Sequence, residues 1–253
     1  MKKKKFKSGT IIKGKNLKGV ILCEVLPDDM EINEHTYQMG ENIDKFPLNV
    51  NVLSGAGLFC YHIKHIFEYL DWGNHLAIIE IPDDEDVYVD DDKFRTHRLI
   101  VKEIMSLKEI STWKYLGVHK IDIKSNQNKA IRHTAKEGYL DIVKYLYKRG
   151  ADITDYNNEA IRLAAAYGHL DVVKYLQSNG ADINADNNRA LVYAAMFGRL
   201  NIVQYIYENC SGVSNEIFEE AMLFASYNDK TSIVEYLQQK GIRKGKLCNV
   251  QIW

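Results

Sequence analysis

Two histidines and two runs of acidic residues are spaced in ways that could suggest a metal site. His62 and His65 lie three positions apart, one fewer than in the H-E-x-x-H zinc motif, and no glutamate stands between them. The runs at 83–86 and 90–92 could attract a divalent cation, but they lack the glycine and the alternating ligands of a calcium loop. We therefore predict no metal site and no cofactor.

The other reactive side chains form no recognisable catalytic motif. The chain has four cysteines, Cys23, Cys60, Cys210 and Cys248, and no C-x-x-C pair, which is typical of reduced thiols in a cytosolic protein. Neither a G-x-x-x-x-G-K phosphate loop nor a G-x-S-x-G nucleophile turn occurs. We predict that the chain has no catalytic residue and is not an enzyme.

Composition and charge describe an ordinary globular chain. Thirty-three Lys and Arg residues stand against 34 Asp and Glu, so the net charge of −1 draws it neither to nucleic acid nor to membrane. The Lys2–Lys5 run lies in a basic tail at 1–8, which we expect to be solvated or to serve as a nuclear address. No apolar segment suits a secretory signal or a membrane span. We expect an intracellular monomer.

The elements that must position any site are repeated along the second half of the chain. Segments that begin at Asn128, Asn158 and Asn188 carry alanine, glycine, leucine and valine at matching positions, 30 residues apart, and a weaker fourth segment is offset by 31. Each predicts two antiparallel helices; in the second segment these cover 158–167 and 170–179, with Gly168 between them. The segment 105–120 matches a second helix and is predicted to cap the array.

This pattern resembles the ankyrin repeat. The matching residues of the second segment are Ala164-Ala165, Gly168-His169-Leu170, Val172-Val173 and Gly180-Ala181-Asp182. The usual Thr-Pro-Leu-His opening is absent, and each repeat is about three residues shorter than the family's 33, so the turn before the first helix is trimmed. The resemblance implies an all-α solenoid over 121–243, followed by a tail at 244–253.

An ankyrin-type array would imply a protein-binding surface. Because the trimmed turn shortens the finger that the family uses for contact, we expect a protein partner to meet the first helices instead. The predicted partner-contact residues are Arg132, Lys136, Arg162, Tyr167, Arg189, Tyr193 and Phe197. The recurring tyrosines of the second helices are interpreted as packing residues.

The first part of the chain, 9–104, has no such period and predicts a small α+β domain. Strand-like runs occur at 20–26, 57–60, 76–82, 87–89 and 94–101, and Ile63–Leu70 has helical spacing. The run Gly57-Leu-Phe-Cys, the segment 66–73 and the segment 93–100 resemble the N-terminal region of ankyrin-repeat proteins of giant amoebal viruses, the mimivirus group. That resemblance implies a viral protein in the cytoplasm of an amoebal host, bound to a host or viral protein.

Two alternatives stay open. The order of glycine, strand and helix also resembles small ADP-ribosyltransferase-like folds, for which His35 or Tyr37 would serve the first strand and Phe59 or Tyr61 the middle strand. The late strand at 94–101 has no carboxylate, so this alternative is an inactive domain joined to a targeting array. The other is an adaptor for host ubiquitin machinery, which usually needs a further C-terminal helix pair than the ten-residue tail provides.

Overall fold

The computed structural model describes residues 6–46, 48, 57–91 and 93–243. They belong to two compact units, Met1–Asp122 and Ile123–Trp253. Most of the predicted basic tail, and all of the predicted tail at 244–253, lie outside the described residues. Among the helices of the described ranges, none has the length and apolar character needed to cross a bilayer.

The first unit is built on one large antiparallel sheet. Its strands are β1 (Thr10–Lys13), β2 (Leu22–Leu26), β3 (Glu31–Ile32), β4 (His35–Thr36), β5 (Gly40–Ile43), β6 (Leu58–His62), β7 (His75–Glu80), β8 (Asp86–Asp90), β9 (Lys93–Thr96) and β10 (Arg98–Ser106). Eight strands follow the order β1-β8-β9-β6-β2-β7-β10-β5, and β3 and β4 form a separate hairpin. Every residue of β2 is buried, because this strand lies in the middle of the sheet.

Two predictions for this unit were wrong in detail. The segment predicted as a helix at Ile63–Leu70 forms two short 3-10 helices, Ile63–Glu68 and Leu70–Trp72. Ile63, Ile66 and Leu70 are buried there, a spacing close to the three residues per turn of that helix. The predicted strand at 94–101 is interrupted at His97 and forms parts of β9 and β10.

A single α-helix, α1 (Ile110–Val118), ends the first unit. Its Trp113 is buried, stacks on Phe67 at 6.1 Å between ring centroids, and donates a hydrogen bond to the Leu107 carbonyl at 2.8 Å. These contacts attach the helix to the sheet unit. Its role as a cap of the repeat array stays a prediction.

The second unit confirms the predicted helix pairs. The first helices are α2 (Ser125–Lys136), α4 (Asp155–Tyr167), α6 (Ala185–Met196) and α8 (Asn215–Tyr227). The second helices are α3 (Leu140–Lys148), α5 (Leu170–Ser178), α7 (Leu200–Asn209) and α9 (Thr231–Gln239). Each first helix packs on the second helix of its own repeat, and neighbouring first helices pack on each other from α2 through α4 and α6 to α8.

Small side chains determine how closely the repeats approach. Ala130, Ala160, Ala190 and Ala221 are at most 1% exposed at equivalent positions of the first helices. Because alanine adds little width, the first helices contact each other more extensively than the second helices do. Within this unit the array therefore curves with its first helices on the inner side.

A left-handed turn interrupts the first residues of α2, α4 and α6, where the trimmed finger was predicted. Three consecutive residues have positive φ at 126–128, 156–158 and 186–188, and asparagine, which tolerates this conformation, occupies the last position each time. The Asn128 Oδ1 atom accepts the Asp152 amide, and the Asn158 Oδ1 atom accepts the Asp182 amide, both at 2.9 Å. Asn128 and Asn158 thus join their turns to the start of the next repeat.

Candidate functional site

Exposed aromatic side chains mark the ends of three first helices. Tyr167, Phe197 and Tyr227 are 45%, 47% and 57% exposed, and we call them the aromatic row. Tyr167 and Tyr227 are the last residues of α4 and α8, and Phe197 directly follows α6. Large aromatic rings are rarely left on a surface without a use, and they are common anchors of protein interfaces.

Cations and a second aromatic ring surround this row. The Lys136 Nζ atom lies 5.3 Å from the Tyr167 ring centroid. The Tyr193 and Phe197 rings are 6.4 Å apart, and the Arg189 guanidinium lies 5.7 Å from the Tyr193 ring. Five of the seven predicted partner-contact residues thus take part in contacts between aromatic and basic side chains of the first helices or their ends.

The other two predicted residues, Arg132 and Arg162, are engaged inside the array. Arg132 forms an ion pair with Glu159 and donates hydrogen bonds to two carbonyls of its own left-handed turn, at 3.0 and 3.1 Å. Arg162 repeats this arrangement, with its ion pair to Asp186 at 2.8 Å. Since these side chains are only 14% and 12% exposed, we assign them to holding the turns and do not include them in the partner-contact surface.

Tyr227 is the aromatic residue that the sequence prediction missed. The last repeat is offset by 31 residues, so the position equivalent to Phe197 is Asn228, and Tyr227 lies one residue earlier. An aromatic residue at the end of any predicted first helix, sought without strict register, would have identified it.

The tyrosines of the second helices pack between repeats, as predicted. Tyr175, Tyr205 and Tyr236 are half-buried. The Tyr205 hydroxyl donates to Gln177 Oε1 at 2.8 Å, and the Tyr236 hydroxyl donates to Glu208 Oε1 at 3.2 Å. Burial, with the Glu208 charge in addition, raises the pKa of Tyr236 to about 12. These rings therefore bridge neighbouring second helices and are not part of the aromatic row.

The acidic run at 83–86 is used in ion pairs. Asp83 pairs with Lys18 at 2.6 Å, and Asp86 pairs with Lys13 at 2.7 Å. Arg98 contacts the carboxylates of Asp84 and Glu85 at 3.3 and 3.1 Å. No group of three His, Cys, Asp or Glu residues suited to a metal ion occurs within the part of the chain that the structure describes.

The residues considered for a transferase site come partly from the separate hairpin and partly from the main sheet, and only Tyr37 reaches the Phe59 backbone. His35 is on β4, outside the eight-stranded sheet, and Tyr37 is buried beside it with ring centroids 5.0 Å apart. Phe59 and Tyr61 are neighbours on β6, inside the sheet. The first-strand position proposed for His35 is therefore not a strand of the main sheet.

Comparison with known proteins agrees with the helical array. A family profile described as "Ankyrin repeats (3 copies)" matches residues 134–218 and 161–248. The ankyrin repeat protein R229 of Acanthamoeba polyphaga mimivirus is 33% identical over 121 residues, which are 44% of this chain and 39% of that protein. The uncharacterized protein R869 of the same virus is 30% identical over 115 residues, 42% of this chain and 83% of that protein. This chain matches well under half the length of R229.

Proposed function

Because this chain belongs to the ankyrin-repeat proteins, we propose that it is a non-enzymatic module that holds another protein against its first-helix face. The observation that carries this proposal is the aromatic row Tyr167, Phe197 and Tyr227 on a rigid array of packed helices. An array of this kind presents side chains at regular intervals along its length. We place the partner among the proteins of the virus or of its host, on the basis of the mimiviral relatives.

The aromatic row supplies anchor residues for an interface, and the surrounding surface must supply the rest of its area. About 100 Å² of each ring remains to be covered, which corresponds to roughly 2–3 kcal/mol per ring when a partner removes it from water. Lys136 and Arg189 lie beside these rings and add charge at the edge. A partner with an apolar patch bordered by carboxylates would complement this surface.

The experiment compares affinity capture by three versions of the full chain. In the test variant, the aromatic row is changed to serine at all three positions. In the matched control, exposed apolar residues of the first unit are changed to serine instead: Ile11, Ile43 and Val118, which are 54%, 50% and 76% exposed. Captured proteins are identified by quantitative mass spectrometry from infected amoebae.

We expect at least one protein to be captured by the wild type and by the control, and to be reduced about tenfold or more by the test variant, the loss expected from removing aromatic anchors. Circular dichroism at 222 nm verifies that both variants keep their helices. A partner that the test variant retains fully, while the control variant loses it, would move the binding surface to the first unit and refute the proposal.

A further inference from the structure

A small cavity opens in the first unit beside the centre of its sheet. It has a volume of about 140 Å³, and its walls come from β2, β6, β9, the β3–β4 hairpin and the segment 69–72. The residues that give it chemical character are Glu24, Phe59, Tyr61, Tyr69, Trp72 and Lys93. None of them belongs to the helical array or to its aromatic row.

The inner end of the cavity is polar and incompletely paired. Glu24 is 3% exposed and Tyr61 is 2% exposed. The Glu24 Oε2 atom has no hydrogen-bond partner among the described residues, and the Tyr61 hydroxyl has only a contact with the Val25 backbone that falls outside normal hydrogen-bond geometry. Buried polar groups are nearly always paired in folded proteins, so the unpaired carboxyl oxygen indicates that a ligand completes it.

The carboxyl group of Glu24 can both donate and accept a hydrogen bond. Burial raises its pKa to about 8, although the positive charge of Lys93 acts in the opposite direction. The side chain is therefore mostly a neutral acid at pH 7, with one O–H donor next to a carbonyl acceptor. This donor and acceptor complement the edge of a heterocyclic ligand that has an acceptor nitrogen beside an N–H donor.

The walls are aromatic and favour a flat ligand. The Tyr61 and Tyr69 ring centroids are 4.1 Å apart, and Trp72 meets Tyr69 edge to face at 5.8 Å. Trp72 is 55% exposed, so its ring stands at the open end of the cavity. Aromatic surfaces in this arrangement stack well on planar heterocycles, including nucleobases.

The charge and the size of the cavity restrict the class of ligand that it can bind. The Lys93 ammonium lies 5.1 Å from the Tyr69 centroid and 5.4 Å from the Trp72 centroid, so the position that a ligand cation would take is already filled by a cation. The same ammonium attracts an anion. A cavity of roughly 150 Å³ holds benzene, so this one is suited to a single six-membered ring.

We propose that this cavity binds a pyrimidine nucleotide, with the base stacked against the aromatic walls, its polar edge on Glu24, and its phosphate on Lys93. Cytosine fits best, because its acceptor N3 and its amino group match the donor and acceptor of a neutral carboxyl group. The site is separate from protein binding by the repeats, so either function can be present without the other.

Isothermal titration calorimetry of the full chain tests the proposal. The probes are cytidine monophosphate, cytidine without phosphate, ribose 5-phosphate without a base, tetramethylammonium, and a cytidine pentanucleotide. We expect the monophosphate to bind about tenfold more tightly than cytidine, as one charge-assisted contact would give, and ribose 5-phosphate to bind far more weakly. Equal affinity for the monophosphate and the pentanucleotide indicates a free nucleotide as the ligand, and tighter pentanucleotide binding indicates an RNA strand.

Substitutions at Lys93 and Glu24 test the phosphate contact and the base contact separately. Lys93→Met should weaken the monophosphate about tenfold and leave cytidine unchanged, whereas Lys64→Met, which removes an exposed lysine outside the cavity lining, should change neither. Glu24→Gln keeps a donor and an acceptor but cannot ionise. It should bind the monophosphate equally at pH 7 and pH 9, while the wild type loses several-fold between these values.

The groups that face Glu24 do not provide another cause of that pH effect. These groups are the cation Lys93 and the titratable residues Cys23, Cys60, Tyr37 and Tyr61. Burial raises the pKa of each of the four titratable residues, which keeps them neutral over this range. No binding of the monophosphate at millimolar concentration, tighter binding of tetramethylammonium, or ribose 5-phosphate binding as well as the monophosphate would each overturn the proposal.

Discussion

The asparagine turns offer a matched pair of substitutions, Asn158→Ala and Asn188→Ala. The two asparagines have φ of 57° and 59°, and each ends a left-handed turn one repeat apart. Their backbone amides donate to equivalent carbonyls at 2.9 and 3.0 Å. They differ in one respect: Asn158 Oδ1 accepts the Asp182 amide at 2.9 Å, whereas Asn188 Oδ1 is buried without a partner within the described residues.

The expected difference in the free energy of unfolding between the two variants follows from this hydrogen bond. Alanine is less tolerant of the left-handed conformation than asparagine, which costs about 1 kcal/mol at either position and cancels in the comparison. Asn158→Ala also loses a hydrogen bond, which contributes about 1 kcal/mol. Asn188→Ala removes an unsatisfied buried oxygen, a change that is neutral or stabilising by up to about 1 kcal/mol. We therefore expect Asn158→Ala to lower the free energy of unfolding by roughly 1–2 kcal/mol more than Asn188→Ala.

Urea unfolding of the full chain, followed by circular dichroism at 222 nm, measures this difference, because that signal comes mainly from the repeat helices. The midpoints and slopes of both variants are compared with those of the wild type. Equal losses in the two variants would contradict the reasoning. They would mean that the side-chain amides do not hold the turns, and that the turns depend on the backbone and the arginines alone.

Two further predictions concern the first unit and the cysteines. Glu24→Gln should remove a pH dependence of stability: the folded pKa is about 8 against an ordinary value of 4.5, so the folded wild type binds the extra proton and loses roughly 3 kcal/mol of stability relative to the variant as pH rises from 5 to 8. Denaturant midpoints at these pH values measure it, and a constant gap between the two proteins would contradict it. Site-resolved thiol labelling should modify the partly exposed Cys210 well before Cys23 and Cys60, whose pKa values burial raises, and equal rates would show that the sheet opens readily.

The repeat array could be predicted because its information is local and recurs. Gly168 adopts a left-handed φ of 91° and ends α4, and the same pattern of alanine, glycine and valine appears in each repeat. The asparagines at 128, 158 and 188 were visible too, but the bond that Asn128 and Asn158 make to the next repeat depends on a residue 24 positions away. Tyr227 was missed because the register of the last repeat changes by one residue.

The cavity of the first unit could not be predicted because its residues come together only through the sheet order. Glu24 lies in a run that any strand would allow, and its burial follows from the central place of β2 between β6 and β7. Trp72 and Lys93 are distant from it in sequence. The pairing of β6 with β9 brings Lys93 next to Tyr61, and a single sequence does not reveal that pairing.

Hydrogen–deuterium exchange of the chain, free and bound to the partner found by affinity capture, tests the central claim most directly. We predict slower exchange at the ends of the first helices, around 162–167, 191–197 and 222–227, with little change in the second helices α5 and α7. Protection confined to the second helices or to the first unit, with the first helices unchanged, would contradict the assignment of the aromatic row as the binding surface.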